Sequence, residues 1–265
     1  MKKVTISTTF DFPIYDVHIH FGEYRGCFFP PENINEVLSR CDVLQYAAML
    51  FPNTLPANKD RDTWLNQKMI EQNSKVDLVL VVTPEMLKID KNLSILDGLP
   101  YKMIKLHGCL HNWHPNGTAI RQVFSLAQTK NIPIMLHTGG RAKSDAGSYF
   151  HICSDFPNVK VILAHSRPID ETIGIMRQCS NVYVDTSFVA MEKIKMFDSE
   201  GLINRVLFGT DFPIPIFFTN ETNLQVWYLK NISEIMSSIG VASFKTIASN
   251  NYLDFFNLQR DTIFN

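Results

Sequence analysis

Short apolar segments recur along the whole chain, and polar stretches with a helical pattern separate them. Near-continuous runs such as Leu78-Val79-Leu80-Val81-Val82 are typical of strands covered on both faces, as in a parallel sheet. Eight segments of this kind are predicted to be strands: Ile14–His20, Val43–Leu50, Asp77–Thr83, Tyr101–His107, Ile132–His137, Val159–His165, Val182–Thr186 and Arg205–Asp211.

The intervening stretches carry apolar residues at helical spacing. Between Gly117 and Lys130 the apolar positions recur every three or four residues, which favours an amphipathic helix. The other predicted helices are Pro31–Arg40, Asp60–Asn73, Ser148–Phe156, Asp170–Gln178, Phe188–Phe197, Glu221–Met236 and Val241–Phe256. Eight strands alternating with helices predict an α/β protein with a (β/α)8 TIM barrel in a single domain, residues 1–265. No G-x-G-x-x-G follows any strand, so an open dinucleotide-binding sheet is not favoured.

Composition limits the classes of partner. The 265 residues are 45% hydrophobic and 19% charged, as in an ordinary globular protein, and the net charge of -1 provides no basic surface for nucleic acid. No run is long enough to cross a bilayer, and Met1 to Thr9 lack the apolar core of a signal peptide. Five scattered cysteines, an odd number, indicate free thiols in a reducing compartment. We therefore expect a cytoplasmic protein with a small-molecule substrate and no nucleic-acid or membrane partner, and a homodimer is compatible with the sequence.

The first predicted strand carries Asp16, His18 and His20 at every second position. Since alternate side chains of a strand point to the same face, the two histidines should lie side by side, with Asp16 beneath them. Two imidazoles on one face can converge on a single metal ion such as zinc. From this motif alone, two solvated histidines on an edge strand are an equally good interpretation.

Later predicted strands also end in polar residues, and this favours a metal site over two solvated histidines. His107, His137, His165, Asp185 and Asp211 each fall at the carboxyl end of a predicted strand. Active sites of (β/α)8 barrels are built at that end. Each residue alone has an ordinary alternative, a core histidine bonded to the backbone or an aspartate that starts a turn. As an ordered set they predict a metal site at the mouth of the barrel.

The motifs that carry this set are Asp16-Val17-His18-Ile19-His20, Ile104-Lys105-Leu106-His107, Leu136-His137-Thr138-Gly139-Gly140, Leu163-Ala164-His165-Ser166 and Phe208-Gly209-Thr210-Asp211-Phe212-Pro213. In this order they resemble the amidohydrolase superfamily, and most closely its amidohydrolase-2 branch, which includes lactonases and metal-dependent non-oxidative decarboxylases. The resemblance implies one divalent ion, Zn²⁺ first and Mn²⁺ second, bound by His18, His20, His137 and Asp211.

The resemblance also implies a catalytic role for two residues, Asp211 and His165. A metal lowers the pKa of a bound water and polarises the substrate carbonyl. Asp211 would then accept the water proton and pass it to the leaving group. His165 would orient the water or donate a hydrogen bond to the carbonyl oxygen.

Three further residues are predicted to bind substrate: Lys105, His107 and Arg141. Lys105 and His107 share a face between apolar neighbours, so both should point into the barrel, where an ammonium group needs a partner such as a substrate carboxylate. Arg141 follows the fifth strand, and Arg167 the sixth; either guanidinium could hold an anionic group or simply be solvated.

Several functions remain open at this point. The leading one is a metal-dependent hydrolase acting on a small ester, lactone or amide that carries a carboxylate. The alternative is a non-oxidative decarboxylase of a small aromatic or enoic acid. In binuclear members of the superfamily a carboxylated lysine at the position of Lys105 bridges two ions, so a binuclear site is a second alternative. A non-enzymatic scaffold is the third. A phosphoesterase beginning with Asp-x-His-x-His is not favoured, because no histidine follows His165.

Overall fold

The computed structural model describes residues 10–52 and 59–259, and a nine-stranded sheet forms its centre. The strands follow one another around the sheet in chain order, except that β2 lies outside β1. They are β1 (Ile14–Tyr24), β2 (Cys27–Phe29), β3 (Val43–Leu50), β4 (Asp77–Val82), β5 (Tyr101–Leu106), β6 (Ile134–His137), β7 (Val161–Ala164), β8 (Val182–Asp185) and β9 (Val206–Leu207).

Eight of these strands are parallel and form a closed barrel. Each pairs in parallel with the next from β1 through β3 to β9, while β2 pairs antiparallel with β1 as a hairpin. The barrel closes between its first and last strands, since the Val17 amide donates to the Phe208 carbonyl (2.9 Å) and the His20 amide to the Phe212 carbonyl (2.7 Å). The predicted (β/α)8 barrel is therefore confirmed.

Helices surround the sheet and cover its outer face. They are α1 (Pro31–Ser39), α2 (Lys59–Gln72), α3 (Pro84–Ile89), α4 (Thr118–Lys130), α5 (Phe150–Asp155), α6 (Ile169–Gln178), α7 (Met191–Ser199), α8 (Leu224–Ile239), α9 (Val241–Lys245) and α10 (Asn251–Phe256). Their buried apolar residues pack with the outward residues of the strands, as the buried stripe Ile120, Val123, Phe124 and Ala127 of α4 illustrates. Within these described residues no helix is both long and apolar enough to span a membrane.

A separate apolar cluster fills the barrel interior, and the last helix covers one end of it. Inward residues such as Met49, Met103 and Met135 pack together with Tyr252 and Phe255 of α10. Tyr252 stacks on Tyr15 with ring centroids 5.0 Å apart. The last predicted helix, Val241–Phe256, is divided into α9 and α10 by the π-helical turn Thr246–Asn250. Its second part blocks the amino end of the strands, and the carboxyl end is left for a site.

The structure departs from the predicted elements where the apolar pattern was weak. Strand β2 lies between the first predicted strand and the first predicted helix, where no element is predicted, because Cys27 and Phe28 are exposed and leave no buried periodicity. Helix α3 was also missed, although Thr83 caps its first turn by accepting from the Met86 amide, and Pro84 begins it. The last barrel strand is shorter than predicted, because the Phe208 amide donates its hydrogen bond to the Ile247 carbonyl and not to a residue of β8.

Candidate active site

Three buried ligand atoms converge at the carboxyl end of the barrel. The Nε2 atoms of His18 and His20 lie 3.1 Å and 2.9 Å from Oδ1 of Asp211, and 3.2 Å from each other. Among the described residues these three form the group of ligand atoms close enough to share one metal ion. The structure thus brings together three of the four residues predicted to bind the metal.

The geometry and chemistry of this group fit a divalent cation. Tetrahedral zinc with ligands at about 2.0–2.1 Å places neighbouring ligand atoms roughly 3.3 Å apart, close to the distances seen here. The Nδ1 atom of His18 lies 2.7 Å from Oδ2 of Asp185 and donates its proton there. Its Nε2 atom therefore carries a lone pair, which faces the space shared by Asp211 and the Lys105 ammonium and is the form of imidazole that binds a metal ion.

A β-bulge separates Asp16 from the two histidines. The register of β1 against β3 shifts between Asp16 and Ile19, so strict alternation fails there. Asp16 does not lie beneath the histidines as predicted. Its carboxylate accepts hydrogen bonds from the Thr210 hydroxyl (2.6 Å) and from the Tyr228 hydroxyl of α8 (2.7 Å). Burial raises the pKa of Asp16 to about 7 against the opposing effect of these hydrogen bonds, and the contacts fasten β1 to the segment that carries Asp211.

Asp185 and Ser187 fix the tautomer of His165. The Ser187 hydroxyl donates to Oδ1 of Asp185 (2.7 Å), so the hydroxyl oxygen accepts from Nδ1 of His165 at 2.9 Å. The Ser187 carbonyl, which can only accept, lies 3.3 Å from the same nitrogen. Nδ1 of His165 therefore carries the proton, and Nε2 presents a lone pair. Of the two roles predicted for His165, this tautomer favours orienting a water over donating to a carbonyl oxygen.

His137 and His107 form a stacked pair beside His165. Their ring centroids are 3.8 Å apart with planes 17° from parallel, and Nδ1 of His137 lies 3.1 Å from Nε2 of His165. Burial, followed by the nearby His165 and Lys105, lowers the pKa of His137 far below its ordinary value, so its ring is neutral. The structure places His137, predicted as a metal ligand, next to His165 and outside the group of His18, His20 and Asp211.

Lys105 points into the barrel, as its strand position predicts. The residue is buried, and its Nζ lies 3.2 Å from Nε2 of His18. Burial lowers the pKa of Lys105 to about 8, partly offset by the carboxylates of Asp211 and Asp185. At neutral pH the ammonium group is therefore mostly charged, and it stands beside the ring of His18.

His165 and Asp211 are among the residues of the site that hold a left-handed backbone conformation, which non-glycine residues rarely adopt. The φ angles of His165 and Asp211 are 71° and 57°, in the left-handed region. A non-glycine residue there costs on the order of 1–2 kcal/mol, and such outliers concentrate at functional sites. Asp211 also begins a turn, since its carbonyl accepts from the Ile214 amide (2.9 Å), while its carboxylate faces His18 and His20.

A cavity of about 650 Å³ opens above these residues. His107, predicted to bind substrate, lines it together with His18, His20, Asp211 and Lys105. Arg141, also predicted to bind substrate, is exposed and does not line the cavity; it precedes a short 3₁₀ turn, Ala142–Ser144. The arginines that line it are Arg25 and Arg167. The full lining is His18, His20, Tyr24, Arg25, Pro52, Lys105, His107, Leu110, His137, His165, Arg167, Phe188, Asp211, Ile214 and Phe218.

Sequence reasoning missed Ser187, Phe188 and Phe218 at this site. Ser187 follows Asp185 by two positions after a predicted strand, which is a signal that could have been used. Phe188 and Phe218 are exposed aromatics. The sequence pattern places Phe188 at the start of a predicted helix, but α7 begins only at Met191, and Phe218 ends the short 3₁₀ turn Ile214–Phe218. The periodic pattern therefore marks neither as a site residue.

Replacing Ser187 by alanine should make the Nδ1–H tautomer of His165 less dominant. Ser187→Ala removes the closer of the two acceptors of the His165 Nδ1 proton, so we expect the Nδ1–H tautomer to lose population. Turnover should fall about tenfold, the lower end for residues that orient a site side chain. Long-range ¹H–¹⁵N spectra of histidine-labelled protein measure the tautomer directly.

The matched control is Ser199→Ala, whose hydroxyl donates to the Met196 carbonyl at an exposed helix end. It should leave the His165 spectrum unchanged. If Ser187→Ala also leaves that spectrum unchanged, the serine does not set the tautomer.

Comparison with known proteins gives a consistent family and fold. A sequence model described as "Amidohydrolase" matches residues 94–228, which is 135 of the 265 residues. No curated protein matches the chain. A probable 2-pyrone-4,6-dicarboxylic acid hydrolase from Acinetobacter baumannii, with citric acid bound, is similar in structure (TM-score 0.66, 13% identity, 92% of this chain and 99% of that chain covered).

Two further solved structures are similar over nearly the whole chain. One is an amidohydrolase from Burkholderia multivorans with bound zinc (TM-score 0.69, 10% identity, 93% of this chain and 100% of that chain). The other is a 2,6-dihydroxybenzoate decarboxylase complexed with 2,6-dihydroxybenzoate (TM-score 0.66, 10% identity, 93% of this chain and 100% of that chain covered). At these identities the structural similarity bears on the fold alone.

Proposed function

Because the chain belongs to the amidohydrolase family, we propose that it is a metal-dependent hydrolase acting on a small ester, lactone or amide that carries a carboxylate. The family is one of enzymes that generally use a divalent metal. The observation that carries the proposal is the convergence of His18, His20 and Asp211 at the floor of the cavity. Two imidazoles and a carboxylate suit zinc first and manganese second. The bound zinc of the Burkholderia multivorans amidohydrolase supports that order.

When bound, a divalent cation supplies Lewis acidity, which lowers the pKa of a water and polarises a carbonyl. Asp211 moves the proton. Burial alone would raise the pKa of its carboxyl group, but the hydrogen bond from His20 and the nearby Lys105 ammonium help to hold that pKa below its ordinary value, so Asp211 is ionised at neutral pH. It can therefore accept the proton of the attacking water and deliver it to the leaving group.

The remaining site residues orient the reactants. The lone pair on Nε2 of His165 can accept a hydrogen bond from the water, because Ser187 keeps the proton on Nδ1. The ammonium of Lys105 offers donors to the substrate carboxylate, and the neutral ring of His107 forms part of the wall beside His137.

A second candidate, a non-oxidative decarboxylase, is favoured by one observation. The Lys105 ammonium lies directly beside His18, where it could hold a carboxylate against the metal site. The similarity of the fold to a 2,6-dihydroxybenzoate decarboxylase is compatible with this reaction. In that case the carboxylate leaves as carbon dioxide, and a proton must reach carbon instead of a leaving oxygen or nitrogen.

Isotope transfer from water separates the two reactions. We expect turnover on a panel of carboxylate-bearing lactones and esters in H₂¹⁸O to place one ¹⁸O atom in the new carboxylate, as mass spectrometry would detect. Aromatic and enoic acids are tested in parallel with a carbon dioxide assay. Release of carbon dioxide from the acids, with no label appearing in any lactone or ester, would establish the decarboxylase instead.

We also propose a cytoplasmic location, and the free thiols support it. All five cysteines are unpaired in the structure, and three of them are buried. Free thiols are stable in a reducing environment, which supports a cytoplasmic location.

A further inference from the structure

A second cavity lies between the strands β3 and β4 and the helices α2 and α3. Its volume is about 240 Å³, and its lining includes Leu50 and Leu80 from the strands and Asn66 and Met86 from the helices. A cavity of roughly 150 Å³ lined by apolar side chains is enough to hold a benzene molecule. This outer cavity therefore has room for a ligand of one or two rings.

The lining of the outer cavity differs in charge from that of the active-site cavity. Among the described residues that line it there is no lysine or arginine, whereas Arg25, Lys105 and Arg167 line the active-site cavity. A carboxylate would meet no cation there, and the loss of its hydration would oppose binding. The outer cavity is therefore unsuited to an anionic substrate and suits an uncharged molecule.

His111 supplies an unused hydrogen-bond acceptor in this lining. Its Nε2 atom lies 2.9 Å from the Pro52 carbonyl, which can only accept, so Nε2 carries the proton. Burial lowers the pKa of His111, so the ring is neutral and Nδ1 keeps a lone pair. Within residues 10–52 and 59–259 this buried Nδ1 has no hydrogen-bond partner. An N–H donor on a ligand would satisfy it.

Phe51 and Pro52 separate the outer cavity from the active-site cavity. Phe51 lines the outer cavity, and its ring stacks on that of His20 with centroids 5.2 Å apart and planes 12° from parallel. Pro52 lines both cavities. A molecule in the outer cavity therefore contacts the residue that packs against His20.

His20 depends on this packing more than its neighbour His18 does. The Nδ1 atom of His18 is held by Asp185. The Nδ1 atom of His20 is buried and has no hydrogen-bond partner in the described part of the chain. Apart from the contact of its Nε2 with Asp211, the orientation of the His20 ring rests on the stacking with Phe51. A shift of Phe51 is therefore transmitted to His20.

We propose that the outer cavity is a second ligand site, which binds an uncharged one- or two-ring molecule carrying an N–H donor. The donor pairs with Nδ1 of His111, and the rings pack against Phe51 and thereby change the position of His20. The ligand of this site is an effector and not the substrate, and the site does not depend on which reaction the active-site cavity catalyses.

Indole and benzofuran test the site, because both have two fused rings of nearly the same shape and only indole carries an N–H group. We expect isothermal titration calorimetry of the purified protein to show one indole bound per chain, about tenfold more tightly than benzofuran. One hydrogen bond to a buried acceptor accounts for a factor of about that size. Equal affinities, or no binding of indole, would overturn the proposal.

Met86→Trp locates the bound molecule. Met86 on α3 lines the outer cavity and packs against the core, so a larger side chain there should fill the space and weaken indole binding at least about tenfold. Lys88→Trp is the matched control, since Lys88 is exposed on the same helix and is not part of the lining, and it should keep the full affinity. Indole binding that survives Met86→Trp, or that is lost equally in both variants, would contradict the assignment.

Spectra of ¹⁵N-histidine-labelled protein follow the two contacts at once. Saturating indole should shift the Nδ1 resonance of His111 and the ring resonances of His20, which His111→Gln and His20→Gln identify. The resonances of His151, exposed on α5 and away from both cavities, should not move. If indole binds and leaves His111 unchanged, the pairing with its Nδ1 is wrong. An unchanged His20 would show that the outer cavity does not act on the active site.

Discussion

Asp211→Asn should lower kcat by at least about a hundredfold in zinc-saturated protein. The loss of a general base at this position has that magnitude. Asparagine keeps the shape of the side chain and an oxygen that can face the metal, but it cannot accept a proton. The measurement is steady-state kinetics on the best lactone or ester, with bound zinc determined for the same sample.

Asp97→Asn is the matched control, because Asp97 is exposed and pairs with Lys130 far from the cavity lining. Its kcat should equal that of the unaltered protein. A near-normal kcat in zinc-saturated Asp211→Asn would show that another group moves the proton.

Zinc should stabilise the folded protein, and His18→Ala should remove most of this stabilisation. Only the folded chain brings His18, His20 and Asp211 together, so the ion adds about 2.7 kcal/mol to the free energy of unfolding at a free concentration one hundred times its Kd. Removing one of three ligands eliminates most of this gain. Denaturant unfolding in the presence of zinc and of a chelator measures the difference.

His151→Ala serves as the control, since His151 is exposed on α5 and away from the cavity. It should keep the zinc-dependent gain in full. A gain of normal size in His18→Ala would place the ion elsewhere in the molecule.

The sequence predicted the barrel and the main part of the site for a physical reason. Strands buried on both faces need continuous apolar residues, so runs such as that of β4 stand out. A polar residue at the end of such a run is equally visible, which is why His18, His20 and Asp211 stand out as candidates in the sequence alone. Their convergence follows from the rule that parallel strands of a barrel end on one side.

The rest of the site depends on backbone paths that periodicity does not encode. The bulge in β1 breaks the alternation that predicted the place of Asp16, and its carboxylate bonds to Thr210 instead. After β6 and β7 the chain could offer either Arg141 or Arg167 to the cavity, and only the fold of the two loops selects Arg167. Strand β2 and the rings of Phe188 and Phe218 are largely exposed, so their sequence lacks the apolar periodicity by which buried elements are predicted.

The contacts that close the barrel, between β1 and the segment that follows β9, affect the order of folding. Asp16 in β1 and Thr210 after β9 are 194 residues apart in the chain. Their hydrogen bond therefore requires one of the largest loop closures that the molecule makes. Contacts of such long range form late and slow the folding of the chain. His18 lies in the first strand of the barrel, and Asp211 follows the last one. The chain can therefore bind an ion between them only after the last strand has docked on the first. Metal uptake therefore reports the completion of folding.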